Sequence, residues 1–203
     1  MDQVLNTYII AYLNSQNPRL QPMVVNSITI RKEYASADLF DIIDKQQTIV
    51  CMVGQGSATY QNAQSKTIVF IDYENFIDQL PEPFQIGKKR CDFIAYDSDC
   101  SSFILFHELS ASSSSGNKLN RARQQLHSTL FLLSSIPEAK AFLDRFPRKE
   151  CIFSNKMEMP ASPLGMASAF GLVRDYLPSA IVHSFQPISK LGFRLIETPL
   201  VVV

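Results

Sequence analysis

The sequence predicts an α/β fold in which a mixed central sheet is flanked by helices. Two apolar runs, residues 91–97 and 103–110, are joined by a short polar turn, which is typical of a β-hairpin. Residues 118–136 follow with an apolar stripe at helical spacing, and residues 151–153 form another β-rich run. Because strand, long helix and strand come in this order, we expect a parallel pair of strands with a right-handed crossover.

The other elements are predicted from shorter patterns. The N-terminal stripe predicts a helix over residues 2–14, and the serine-rich residues 110–117 predict a mobile loop. Further helices are predicted over residues 37–44, 75–80 and 165–177 and from Pro137 onward. Further strands are predicted over residues 27–30, 48–53, 66–73 and 193–203, where Pro199 favours an edge position.

Length and composition limit the class of protein. The chain has 203 residues, 46% of them apolar, and no clear linker, so we expect a single domain over residues 1–203. A net charge of zero argues against a large, uniformly basic nucleic-acid surface but permits a local basic patch. No apolar run is long enough to cross a membrane, and the N-terminus does not resemble a signal peptide. The four cysteines lack metal-binding spacing, which favours free thiols in a cytoplasmic protein.

Two carboxylates stand at the ends of the predicted hairpin. Asp92 opens the first strand and Glu108 closes the second, so antiparallel pairing brings the two side chains together. Two carboxylates at one place repel each other unless a cation or a shared proton lies between them. Hard oxygen ligands suit Mg²⁺, which can activate water for attack on a phosphodiester. The sequence therefore predicts a magnesium site at Asp92 and Glu108.

The order of these features resembles the PD-(D/E)XK nuclease superfamily. The matching residues are Asp92, then Glu108-Leu109-Ser110, then the helix from Lys118 and the strand around Ile152. Some branches add a glutamine on that helix, where Gln124 or Gln125 would match. The resemblance implies a restriction-endonuclease-like core over about residues 66–156, with an N-terminal helical and strand elaboration and a C-terminal extension.

The same resemblance implies a function. The chain is expected to be a degenerate member of the superfamily, a Mg²⁺-dependent DNA endonuclease or a nuclease-derived component of defence or DNA processing. Asp92 and Glu108 would hold Mg²⁺, and Gln125 would orient the attacking water or a phosphate. The motif lysine that assists this water is replaced by Ser110, and Lys118 is the candidate for a migrated lysine. The alternative is a non-catalytic interaction or assembly protein that keeps the fold and binds a protein partner or a second copy of itself.

Basic and acidic residues near the hairpin extend the hypothesis. Lys88 and Lys89, with Arg121 on the helix face that also carries Lys118, predict a phosphate-binding rim, although such runs are as often solvated surface. Asp72 and Glu74 form another acidic pair, and the sequence leaves open whether either one reaches the metal site.

Two further signals favour structural roles. His107 alternates with Glu108, so the two side chains should face opposite sides of the sheet and should not act as a pair. Gly54-Gln55-Gly56 resembles part of a dinucleotide-binding loop, but it lacks the third glycine and a following helix pattern.

Overall fold

The computed structural model describes residues 1–24, 26, 28–45, 48–85, 89–110, 117–155 and 180–203. These residues form a seven-stranded mixed sheet, a four-stranded sheet and several helices. The predicted α/β class, with a mixed sheet flanked by helices, is confirmed. No helix among the described residues is long and apolar enough to cross a membrane.

The helices are mostly short. The chain begins with a π-helical segment, Val4–Ile9, that continues into α1. The helices are α1 Ile10–Gln16, α2 Tyr73–Asp78, α3 Glu82–Gln85, α4 Lys118–Ser134, α5 Pro137–Leu143 and α6 Gln186–Ser189.

The strands divide between the two sheets. They are β1 Lys32–Ala35, β2 Leu39–Lys45, β3 Thr48–Cys51, β4 Ala58–Gln61, β5 Ile68–Asp72, β6 Phe93–Asp97, β7 Phe103–Ser110, β8 Arg148–Asn155, β9 Ile181–His183, β10 Arg194–Glu197 and β11 Leu200–Val202. The large sheet has the order β1-β5-β6-β7-β8-β10-β9, and the small sheet has the order β11-β4-β2-β3.

The centre of the large sheet contains the predicted hairpin and crossover. Strands β5, β6 and β7 form an antiparallel meander, and β8 pairs in parallel with β7 after α4 and α5. In the hairpin register, Phe93 lies opposite His107. Asp92, one residue before Phe93, is therefore next to Glu108, one residue after His107. The hairpin, the helix at α4 and the parallel strand are all confirmed.

The two faces of the large sheet pack against different partners. Ile94 and Phe106 belong to a core shared with α4, whose Leu126 and Leu130 are buried there. Phe93 and Leu105 point to the other side, into a core shared with the small sheet. This alternation follows from the two-residue period of a strand, and it places Asp92 and Glu108 on the helical side.

Several sequence predictions need correction. Residues 39–44 of the predicted helix 37–44 belong to β2, because β3 and β4 supply hydrogen-bonding partners on both sides. The predicted strand at residues 27–30 is not seen at residues 28–30, and the first strand begins at Lys32. In the tail, β11 is an edge strand just after Pro199, whereas β10 lies between β8 and β9. The predicted helix at 165–177 and residues 111–116 of the predicted loop lie outside the described residues.

All four cysteines are free, as the sequence predicts. Cys91 and Cys151 are fully buried, whereas Cys51 and Cys100 are partly exposed. Burial raises the pKa of the Cys91 and Cys151 thiols well above the usual value, so both thiols stay protonated in the core.

Candidate metal centre

Asp92 lies where the sequence places it, at the start of the hairpin. Its side chain is buried, and its Oδ2 accepts a hydrogen bond of 2.6 Å from the backbone N–H of Leu109. Leu109 follows Glu108 on β7, so this bond joins the two ends of the hairpin. The structure therefore brings the two predicted metal ligands to the same end of the β6–β7 pair.

Glu108 has an unpartnered carboxylate oxygen at this end of the sheet. It is only 7% exposed, and its Oε2 is buried without a hydrogen-bond partner among the described residues. Burial raises the pKa of Glu108, and the negative charges of Asp92 and Glu74 raise it further. Burial also raises the pKa of Asp92, and the hydrogen bond from Leu109 only partly opposes the shift. The two carboxylates therefore cannot both ionise at low cost without a nearby cation.

Two more carboxylates lie close to Asp92, in a group of three that does not include Glu108. One oxygen each from Asp44, Glu74 and Asp92 lies within 4.8 Å of the other two, a spacing that permits shared coordination of one metal ion. Asp44 is exposed near the end of β2, and Glu74 is half-buried in the first turn of α2. We refer to Asp44, Glu74, Asp92 and Glu108 as the carboxylate cluster.

Three of these four residues are named as candidates in the sequence analysis. Asp92 and Glu108 were predicted as ligands, and Glu74 was one of the two residues whose place remained open. Asp44 was missed because its segment was predicted to be a helix. The available signal was the same one that marked Glu108, a carboxylate that closes an apolar, β-rich run.

Asp72, the other open candidate, serves a structural role. Its Oδ1 accepts a hydrogen bond from the N–H of Asn75 and caps α2, while its Oδ2 pairs with Arg31 at 2.8 Å. Both oxygens are thus engaged. Asp72 holds α2 in place and so positions Glu74, two residues further along.

The donor set fits a hard divalent cation. Every group in the carboxylate cluster offers oxygen, which is the ligand that Mg²⁺ prefers. The buried Glu108 Oε2 has the lone pairs of an acceptor and no proton donor beside it among the described residues. A bound cation would meet that need and would reverse the upward shift of the two buried pKa values.

Gln125 is buried on α4 and contacts the chain just before Asp92. Its Nε2 donates a hydrogen bond of 3.0 Å to the backbone carbonyl of Arg90, while its Oε1 has no hydrogen-bond partner among the described residues. Arg90 itself approaches Glu74 at 3.7 Å and contacts Asp78. Helix α4 is thereby fixed against the residues that lead into Asp92.

The predicted basic residues differ in how they relate to the carboxylate cluster. Arg121 is exposed, and its positive charge opposes the upward pKa shift of Glu108, so it acts electrostatically on the carboxylate cluster. Lys118 is the first residue of α4, one turn before Arg121. Lys89 is exposed and donates a hydrogen bond to Oε1 of Gln124. Lys88 lies outside the described residues.

Ser110 ends β7 on the same face as Glu108. Alternation along the strand places residues 108 and 110 on one side, and Ser110 pairs in register with Asn155 of β8. The residue that replaces the motif lysine is therefore directed to the side of the sheet that carries the carboxylate cluster.

The glycine-containing loop binds a carboxylate of its own chain. Asp41 Oδ2 accepts hydrogen bonds from the N–H groups of Gly54 and Gly56, at 2.7 and 3.0 Å, and Oδ1 accepts one from Thr59. A Cβ at residue 56 would lie 2.4 Å from the Asp41 Cβ, so only glycine fits there. The loop resembles an anion-binding loop because it does bind an anion, the buried side chain of Asp41.

His107 has a complete set of hydrogen bonds on the opposite face. Ser154 Oγ donates its one proton to the carbonyl of Thr198 at 2.5 Å, so His107 Nε2 must donate to Ser154 Oγ. His107 Nδ1 is then the acceptor for the Tyr60 hydroxyl at 2.8 Å. Burial lowers the pKa of His107 to about 3, so the ring is neutral. The prediction that His107 and Glu108 face opposite sides is confirmed.

Comparison of the chain with protein-family models, curated proteins and solved structures finds no match. The geometry of the carboxylate cluster is therefore the basis for a functional proposal.

Proposed function

We propose that the protein is a Mg²⁺-dependent nuclease that cleaves DNA and derives from the PD-(D/E)XK superfamily. One observation carries the proposal. Carboxylate oxygens of Asp44, Glu74 and Asp92 gather within 4.8 Å of one another, beside the buried and unpartnered Glu108 Oε2. Carboxylates gathered this closely, two of them buried, are costly in a folded protein, and a divalent cation is the simplest further counter-charge.

The topology supports the proposal. The β6–β7 hairpin, then α4, then the parallel strand β8 is the order that the superfamily resemblance implies. Asp92 and Glu108 occupy its two acidic positions, and Glu74 comes from the element between β5 and β6. The four free cysteines suit a reducing compartment such as the cytoplasm, where we place the activity.

The roles of the residues follow from their positions. The carboxylate cluster would hold Mg²⁺, which when bound supplies an activated water and neutralises charge on the phosphate. Arg121 lies close enough to act on Glu108 electrostatically, and it would attract the DNA phosphate together with Lys89. Gln125 would orient the phosphate or the water through its unpartnered Oε1. Lys118, at the start of α4, would assist the water in place of the lost motif lysine.

Metal binding is the first test. Wild-type protein and the Asp92→Asn and Glu108→Ala variants are titrated with Mn²⁺ by calorimetry. We expect binding by the wild type and a loss of at least about tenfold in affinity in either variant, because each removes a charged ligand. Asp97→Asn is the matched control, since Asp97 is a buried carboxylate on the same hairpin that already accepts hydrogen bonds from three backbone N–H groups. Equal and negligible binding by all four proteins would overturn the proposal.

Cleavage is the second test. Supercoiled, single-stranded and branched DNA are incubated with Mg²⁺ or Mn²⁺, and products are separated on gels. We expect metal-dependent cleavage by the wild type that EDTA and Asp92→Asn abolish. Metal binding without cleavage of any of these forms would leave the metal centre standing and would exclude the nuclease activity on them.

Ser110 favours a second candidate, a non-catalytic assembly protein that keeps the nuclease-like fold. Serine carries no positive charge and cannot replace lysine electrostatically beside Glu108. The Ser110→Lys variant discriminates between the two candidates. If it gains metal-dependent cleavage that the wild type lacks, the lost lysine accounts for the inactivity, and the result favours the non-catalytic candidate for the wild type. Light scattering on the purified wild type then reports whether the partner is a second copy of the chain.

A further inference from the structure

A cavity of about 330 Å³ opens beside the carboxylate cluster, between the end of α1, helix α2 and the second half of α4. This volume is at the lower end of the range for ligand pockets. Tyr73 and Ile77 form part of its apolar lining, and Asn17 and Ser128 contribute polar groups. None of these residues belongs to the carboxylate cluster.

The cavity is joined to the carboxylate cluster through two residues. Arg90 lines the cavity and also approaches Glu74 at 3.7 Å. Thr129 lines the cavity from α4, where it accepts a hydrogen bond from the N–H of Cys91, next to Asp92. Thr129 follows Gln125 by one turn, about 6 Å along the helix axis. The cavity and the carboxylate cluster are therefore neighbours that share Arg90, which lines the first and approaches Glu74 of the second.

The rim of the cavity offers an aromatic face. Phe131 lines the cavity and is 60% exposed, although it lies on a helix whose other face is fully buried. His127, one turn earlier, lies with its ring centroid 6.0 Å from that of Phe131. An exposed aromatic ring fixed on a helix provides a stacking surface for a flat ligand.

The rim also carries positive charge. Lys89 lines the cavity, is exposed, and donates to the neutral amide of Gln124, so its charge is not cancelled by that partner. Positive charge beside an aromatic face is the combination that binds nucleic-acid strands, with the ring under a base and the cation at a phosphate.

We propose that this cavity binds one nucleotide of the DNA strand that the carboxylate cluster cleaves, with Phe131 stacked on the base and Lys89 at its phosphate. The proposal rests on the proposed nuclease function and names the strand-binding subsite of that same centre. An unpaired nucleotide is required, because a base inside a duplex does not expose its face for stacking.

Binding of a fluorescent oligodeoxythymidylate, followed by anisotropy in EDTA, tests the cavity without the metal. We expect Phe131→Ala to weaken binding about tenfold, the usual order for loss of one stacked base. Lys89→Ala should weaken binding several-fold and reduce the slope of log affinity against log salt by about 0.7. Met52→Ala and Lys190→Ala are matched controls, because both side chains are exposed and neither lines the cavity. Both controls should bind like the wild type.

Photocrosslinking locates the base directly. An oligonucleotide that contains 5-iododeoxyuridine is irradiated with the protein, and the crosslinked peptide is identified by mass spectrometry. We expect the crosslink on the peptide that contains Phe131, and its loss in Phe131→Ala. A crosslink confined to other peptides would overturn the assignment.

The outcomes separate this proposal from the metal centre. Unchanged affinity in Phe131→Ala and Lys89→Ala, or no binding of the oligonucleotide by the wild type, overturns the nucleotide subsite. The Mn²⁺ titration of Asp92→Asn is read independently, so the metal centre stands or falls by its own result. Strand binding that depends on Phe131 in a protein without metal binding would preserve the subsite and exclude the nuclease.

Discussion

His107 and Glu108 are neighbours on β7, both are buried, and both are polar, yet their surroundings are opposite. His107 faces the small sheet, and each of its ring nitrogens has a partner at 2.8 Å. Glu108 faces the helical side, and its Oε2 has no partner among the described residues. A buried polar group without a partner is expensive, so its retention in a folded protein indicates a ligand rather than a structural bond.

The same contrast sorts the buried aspartates. Asp41 and Asp97 accept several backbone N–H groups each, from the glycine loop and from the β6–β7 turn respectively. Asp92 accepts one bond from Leu109 and otherwise meets other carboxylates. The carboxylates that accept several hydrogen bonds therefore stabilise the fold, whereas those that accept few are available to a cation.

The largest effect on stability is expected at His107, where both ring nitrogens have hydrogen-bond partners. We expect His107→Ala to lower the free energy of unfolding by about 4 kcal/mol, because it opens a cavity and leaves Tyr60 and Ser154 without their partner. Urea denaturation measures the change. If Glu108→Ala, measured in parallel without metal, were equally destabilising, the contrast between the two residues would be broken.

A smaller effect on stability, of opposite sign, is expected at Glu108, whose Oε2 has no hydrogen-bond partner among the described residues. We expect Glu108→Gln to raise the free energy of unfolding of the metal-free protein by about 2 kcal/mol at pH 8, because the wild-type carboxylate must take up a proton when the chain folds at that pH and the amide need not. Burial raises the pKa of Glu108 in the folded state, so the folded state holds the proton more tightly than the unfolded state. The stability of the wild type should therefore fall as pH rises above the ordinary Glu pKa and towards the raised folded pKa. The fall is best measured from about pH 6.5 to 9, because ordinary carboxylates and histidines have lost their protons in that range.

Denaturation of wild type and variant across that pH range checks this expectation, and added Mg²⁺ provides the control. The slope should be shallower in Glu108→Gln, and Mg²⁺ should stabilise the wild type more than the variant. A wild type whose stability rises over the same range would contradict the assigned pKa directions.

Asp97 should show the reverse dependence on pH. Burial tends to raise the pKa of Asp97, but hydrogen bonds from the N–H groups of Phe103, Ser101 and Ser102 outweigh burial and lower it. Its contribution is present above the ordinary aspartate pKa and is lost as pH falls through the folded value. We expect Asp97→Ala to cost about 1.5 kcal/mol at pH 7 and less at pH 3, measured by urea denaturation. An equal cost at both values would exclude the charge as the source.

The smallest effect is expected for Tyr60→Phe. The change removes only the hydroxyl that donates to His107 Nδ1 and leaves the ring packed against Phe40 and Phe70. We expect a loss of about 1 kcal/mol, the ordinary net value of one buried hydrogen bond, in thermal or urea denaturation. A change near zero would show that the Nδ1 atom finds another donor and that the network is less constrained than its geometry indicates.

Local patterns predicted the elements that local interactions determine. The β6–β7 hairpin has a polar turn that its own Asp97 stabilises, and α4 has a continuous buried stripe. Residues 37–44 were misread because Leu39, Phe40, Ile42 and Ile43 also fit one face of a helix. Their strand conformation depends on pairing with β3 and β4, and a window confined to residues 37–44 contains neither of these strands.

The sequence alone could predict only the part of the candidate site that the β6–β7 hairpin forms. Asp92 and Glu108 are neighbours through a single turn, so their proximity could be derived from strand pairing. Asp44 and Glu74 reach the same place through the small sheet and through α2, and no local pattern specifies those contacts. The cavity between α1, α2 and α4 was likewise beyond prediction, because it depends on the packing of three helices.

The small sheet, which carries Asp44, includes a strand that is among the last residues to be synthesised. Strand β11 pairs in parallel with β4, which pairs with β2, the strand that carries Asp44. Thr198, just before β11, accepts the last hydrogen bond of the His107 network. A ribosome that has made Asp92 and Glu108 must therefore still make residues 198–202 before Asp44 is held by a complete sheet. During translation, the hairpin and the β2–β4 pairing can form early, but the small sheet is complete only after these late residues emerge.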